Sequence, residues 1–133
     1  VRILDKSKDG GPASPVDGYF LIEIKFLFSI ALLKFNKGRR EEFHTHAFNA
    51  LTWFLWGDLV EEDIDGTLYR YSTSLMPKLT KKAKNHRVKA LKDSWCITVR
   101  GPWAMFWTED NLITNETTVL TNGRRVVARY TND

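Results

Sequence analysis

The chain has 133 residues, 43% hydrophobic and 27% charged, a composition that fits one globular domain built around one core. Its single cysteine, Cys96, excludes an intramolecular disulfide and a thiolate metal cluster. The net charge of +4 raises the question of a nucleic-acid surface. No recognition helix or RNA platform accompanies the basic clusters "NKGRREE", "PKLTKKAKNHRVKALK" and "GRR", however, so they read as solvated loops and rims, and nucleic acid is not an expected partner.

In chain order, residues 1–18 read as an N-terminal arm or linker and residues 19–133 as the folded domain. The stretch "DKSKDGGPASPVDG" is rich in Gly, Pro, Ser and Asp and lacks core-forming potential. A strand follows at "YFLIEIKF", whose alternation predicts Ile22, Ile24 and Phe26 toward the core and Glu23 and Lys25 opposite. The apolar run from Phe26 to Leu33 is too short to span a bilayer and is flanked by Glu23, Lys25 and Lys34. With no secretory leader visible, a cytoplasmic location and no membrane association are expected. Further strand-like segments are "IALLKF", "EFHTHAF", "LTWFLWGDLVEE", "TLYRYSTSL", "HRVKAL", "SWCITVRG", "AMFWT", "TTVL" and "RVVARY". Asp65-Gly66 and Asn122-Gly123 fall between such segments, with the chemistry of two-residue hairpin turns. No amphipathic helix of three turns is present, and "LTKKAKNH" makes one turn at most. The fold class is therefore all-β, a sandwich or barrel. Cys96 sits in a strand-like run and reads as a buried, inert thiol.

The three histidines carry the chemistry. Alternation in a strand puts residues i and i+2 on one face, so His44 and His46 present adjacent imidazoles while Phe43, Thr45 and Ala47 face away. His86, at the start of another strand-like segment, is the only remaining candidate for a third imidazole. Three neutral imidazoles suit Fe, Ni, Zn, Cu or Mn. The competing reading makes His44 and His46 ordinary strand residues with hydrogen-bonded rings.

The spacing Gly38, His44, His46, Ala50, Gly57 resembles the first motif of the cupin superfamily, with Ala50 where that family usually has a ligating glutamate. This departure resembles the cysteine-dioxygenase-like branch, which often binds iron through three histidines. Of the second cupin motif only His86 is present. Leu75, Lys81, Ala83 and Ala90 occupy its Gly, Pro, Gly and Asn positions. The chain is also similar to small phage and bacterial cupins through His44-Thr45-His46-Ala47, Gly57 to Glu61, His86-Arg87-Val88 and Trp95 to Pro102. Ala47 stands for their proline and Cys96 for their threonine. This likeness covers roughly residues 20–108. It implies a cupin double-stranded β-helix, a jelly-roll-like barrel, with one divalent transition metal, iron preferred and nickel, manganese or zinc as alternatives, held by His44, His46 and His86.

Glu61 faces inward with Leu59 if the strand is regular, as a fourth ligand or as a partner that orients a histidine. Its alternative is a solvated acid in "EEDID". Tyr69 and Tyr71 share a face that a barrel turns toward its lumen. Trp53, Trp95, Trp103 and Trp107 are candidates to wall an apolar pocket or to form a dimer face. No catalytic residue is assigned. The function expected is a metal-binding cupin acting on a small molecule, with an iron-dependent dioxygenase as its enzymatic form and without a nucleic-acid partner. The alternative is a non-catalytic cupin, either a ligand binder or a phage accessory or interaction protein. A homodimer is the expected assembly.

Overall fold

The computed structural model describes residues 1–11, 14–39 and 42–132. Pro12 and Ala13 of the predicted arm, and Arg40 and Glu41 of the first basic cluster, lie outside the described residues. Among those described, the chain forms β1 (Arg2–Lys8), β2 (Val16–Ile24), β3 (Phe28–Phe35), β4 (Gly38–Arg39), β5 (Phe43–His44) and β6 (Ala50–Asp63). It continues through β7 (Leu68–Tyr71), β8 (Lys78–Thr80), β9 (His86–Arg100), β10 (Trp107–Asn111), β11 (Glu116–Thr121) and β12 (Arg125–Thr131). No α-helix is present among the described residues, and no helix is long and apolar enough to cross a membrane.

Every pairing is antiparallel, in the order β1-β2-β3-β9-β5-β10-β11-β12, with β6 pairing β7, β8 and β9. The hub is β9. The segments "HRVKAL" and "SWCITVRG", separate in the sequence reading, form one continuous strand, held along its length by β6 and along parts of it by β3, β4 and β5. On its even-numbered face His86, Ala90, Ser94, Cys96, Thr98 and Arg100 are buried and Val88 is half-buried, while Lys92, at the register shifts with β6, is exposed. Burial pushes the Cys96 thiol up to about 12, which leaves it inert.

The core has two parts. Val16, Phe20, Ala31, Leu33, Leu59, Ala90 and Cys96 form one, and Ala47, Phe48, Trp107 and Leu120 the other. Val16 thus supplies core from within the Gly/Pro-rich stretch, and β1 pairs with β2 along the sheet edge.

Two irregularities change which residues face inward. In β2 the register shifts between Phe20 and Ile22. Phe20 is buried, but beyond the shift the buried residue is Glu23, and Phe26 is 74% exposed. The predicted alternation is therefore reversed in this strand: Glu23 points inward and is neutralised by Arg2 at 2.9 Å. In β6 the register with β9 shifts repeatedly between Phe54 and Leu59. Gly57 sits in this bulge at φ +124°, a conformation open to glycine, and the Ser94 hydroxyl fills the space beside it, accepting from Asp58 N at 2.9 Å.

Both predicted hairpins exist, with longer turns than expected. Residues 64–67 link β6 to β7, with Asp63 N donating to Thr67 O at 2.9 Å. Residues 122–124 link β11 to β12, with the left-handed conformation at Arg124, φ 56°. The three-residue loop matches the register Thr121↔Arg125.

Candidate metal centre

The two-residue strand β5 is clasped between β9 and β10, with His44 opposite His86 on one side and Glu109 on the other. His46 follows two residues later, its backbone N bonded to Lys82 O at 2.9 Å. The three rings form a near-regular triangle, with centroids 4.8 Å (His44–His46), 5.0 Å (His44–His86) and 4.8 Å (His46–His86) apart. One nitrogen of each ring falls within 4.8 Å of the other two. Nε2 of His46 lies 2.7 Å from Nε2 of His86.

Glu61 stands behind His86 and is 2% exposed. Its carboxylate accepts from His86 Nδ1, from Lys78 Nζ at 2.5 Å, from Lys84 Nζ at 3.0 Å and from the Tyr71 hydroxyl at 3.2 Å. A carboxylate only accepts, so His86 Nδ1 must carry the proton in this bond, and the lone pair of a neutral His86 resides on Nε2, toward the other rings. Burial alone would raise the Glu61 pKa. The hydrogen bonds from His86 and Lys78, and the Lys78 charge, outweigh it and hold the carboxyl well below the usual carboxylate range. Burial, with the negative charge of Glu61, pushes Tyr71 above its ordinary value.

Glu61 therefore does not enter the triangle as a fourth corner. Its two oxygens are occupied by four donors, and its geometry is that of a group that fixes a histidine's tautomer and orientation. If the cluster binds metal, Glu61→Gln should keep the fold and weaken the affinity about ten- to a hundredfold, the range for losing such an orienting partner. Metal titration of the two proteins, with thermal melts alongside, checks this. Unchanged affinity would remove the role.

The triangle opens on a cavity of about 930 Å³ that also takes in Phe20, Phe48, Phe54, Tyr71, Trp103 and Trp107. Tyr71, Trp103 and Trp107 of the predicted pocket residues line it. Trp53, Tyr69 and Trp95 do not. Trp53 alternates with Thr52 and Phe54, which face inward, and so faces away. Trp95 falls between the buried Ser94 and Cys96 and so faces the other way, where it stacks on Tyr19 at 5.9 Å. Tyr69 is 43% exposed, with Lys84 Nζ 5.1 Å from its ring. Phe48 and Phe54 join the wall without a sequence signal used above, as do Lys78 and Lys84 as partners of Glu61. Phe48 was within reach of the signal, since it continues the i, i+2 row of His44 and His46, and its ring lies 5.6 Å from that of His46.

The donor set fits a transition metal. Imidazole nitrogens suit Zn, Cu, Fe and Ni, and three of them leave positions for other ligands.

No protein-family model and no curated protein matches the sequence. Solved structures match it at low identity. A protein described as a sugar phosphate isomerase from a cupin superfamily, from Silicibacter pomeroyi, shares 11% identity over 98% of this chain and 89% of its own, with a TM-score of 0.65. Ectoine synthase from P. lautus shares 18% over 72% of this chain and 70% of its own, TM-score 0.58. KdgF from Halomonas sp. shares 20% over 74% and 87%, TM-score 0.56. These likenesses, with the all-antiparallel strand architecture, show that the chain has the cupin fold.

Proposed function

We propose that this protein is a metal-binding cupin, in which His44, His46 and His86 hold one divalent transition metal at the inner end of a cavity that admits a small molecule. The convergence of the three imidazoles carries the reading. Rings at ordinary strand positions have no reason to aim ligand nitrogens at one point, and a carboxylate fixing the far nitrogen of one of them is a recurrent partner of metal-bound histidine.

A bound ion would supply Lewis acidity and, if it is iron, redox chemistry toward dioxygen. Iron is the first choice through the motif resemblance, with nickel, manganese and zinc compatible with the same donors. The chain's own residues do the rest. Glu61 holds the His86 proton at Nδ1, so that a lone pair faces the cluster. Lys78 and Lys84 keep that carboxylate ionised. Phe48, Trp103 and Trp107 wall the approach and limit water there. A second reading, a cupin that binds its ligand without turnover, draws on one observation: the described metal cluster contains no carboxylate, because Ala50 is small and Glu61 is engaged elsewhere.

Protein purified without chelator or affinity tag should contain roughly one transition metal per chain by elemental analysis. Absence of metal, even after reconstitution with iron, nickel, manganese or zinc, would remove the metal-binding reading and the enzymatic form with it.

A further inference from the structure

Six lysine and arginine side chains from the described residues line the cavity. Five of them sit against a carboxylate, as Arg100 does with Asp9 at 2.6 Å and Arg2 with Glu23 at 2.9 Å. Lys25 is the exception: among the described residues, no carboxylate lies within ion-pair distance of it. Its Nζ donates to the neutral Asn122 Oδ1 at 2.7 Å and lies 4.6 Å from the centre of the Trp103 ring. The Trp103 backbone is tied to Lys25 O at 2.7 Å, so the two residues are held side by side. The Trp103 Nε1–H is itself buried without an acceptor among the described residues. From Trp103 the rings continue inward, 5.3 Å to Phe48 and 5.6 Å from Phe48 to His46.

We infer that Lys25 receives the carboxylate of a substrate whose apolar or aromatic body lies along Trp103 and Phe48. The inference deepens the metal-site reading by naming a substrate class, and it rests on that reading for where the other end of the molecule points. A single uncompensated positive charge matches a monoanion. A phosphate dianion would leave negative charge unmatched in a partly apolar cavity. The Trp103 and Phe48 faces reward a planar body, since aromatic pairs favour ring separations of roughly 4.5–7 Å.

The test titrates trans-cinnamate and its neutral counterpart, cinnamamide, into the full chain after chelator treatment, followed by calorimetry. Cinnamate should bind about tenfold more tightly than cinnamamide, as the loss of a charge-assisted hydrogen bond implies. Lys25→Met should reduce cinnamate to the level of the amide and leave the amide unchanged. Lys25→Arg should stay within a few-fold of the parent. Equal affinity for acid and amide in the parent protein overturns the inference without recourse to any variant. So does indifference to Lys25→Met, or no cinnamate binding at about 10 mM. Phenyl phosphate binding tenfold more tightly than cinnamate overturns the carboxylate assignment. Because the titration uses metal-free protein, its outcome is independent of the elemental analysis that tests the metal site, and either result can fail alone.

Discussion

His86→Ala should abolish metal binding while the barrel stays folded. The substitution removes the imidazole whose orientation is fixed by the buried Glu61 carboxylate. Two ligands from one segment, His44 and His46, would remain. The loss should therefore exceed the roughly hundredfold effect expected for removing an orienting partner. The fold should survive because Glu61 keeps Lys78, Lys84 and Tyr71, so no buried charge is left unpaired. The packing penalty should stay within about 1–3 kcal/mol. His44→Ala should act in the same direction. Elemental analysis after reconstitution, beside a thermal melt, measures both halves of the expectation. A folded His86→Ala protein that retains stoichiometric metal at parental affinity would place the metal elsewhere.

Gly57→Ala should be the most destabilising single-methyl change in β6. At φ +124° a side chain is strained, and a Cβ would overlap the Ser94 side chain and lie 2.6 Å from the Ser94 Cα. Backbone atoms of the hub strand cannot swing aside as a flexible side chain does. Ser94 also anchors the bulge through Asp58 N and Lys92 O, so any retreat costs hydrogen bonds as well. Strain and overpacking at about 1–3 kcal/mol each give a total near 3 kcal/mol or more. For a chain of this size, that lowers the melting temperature by roughly 10 °C. Gly66→Ala is the control: its turn is left-handed too, at φ +92°, but nothing lies within 4 Å of the added carbon, so its loss should be smaller. Equal melting shifts for the two variants would mean that contact with Ser94 contributes nothing.

The all-β class and the three-histidine cluster were legible because both rest on local rules: turn residues between short apolar runs, and i, i+2 spacing in an extended segment, which holds although β5 itself ends at His44. The lysine partners of Glu61 and the inward-facing cation Lys25 were not, and for Lys25 the reason is parity. An extra residue in a strand turns every later side chain to the other face, and nothing in "YFLIEIKF" marks the shift after Phe20. The regular alternation drawn through Ile22 and Ile24 therefore pointed Glu23 and Lys25 outward, whereas Glu23 is 2% exposed and Lys25 lines the cavity. In β6 the same effect separates Trp53 from Glu61. Both are odd-numbered, and an unbroken strand would put them on one face. The bulge at Gly57 turns Trp53 away while keeping Leu59 and Glu61 inside. Trp95 was readable, by contrast, since β9 keeps one parity from His86 to Arg100.

The ion pair between Asp9 and Arg100 has a practical consequence for handling the protein. Arg100 is 4% exposed, and both of its terminal nitrogens are spent on Asp9, 91 residues away in sequence. Trimming the first nine residues would strand a guanidinium inside the barrel, at a cost of about 3–5 kcal/mol. It would also remove Val1 and Arg2 from the cavity wall. A version shortened past Asp9 would thus have a different binding chamber, so ligand and metal measurements belong to protein that retains this segment.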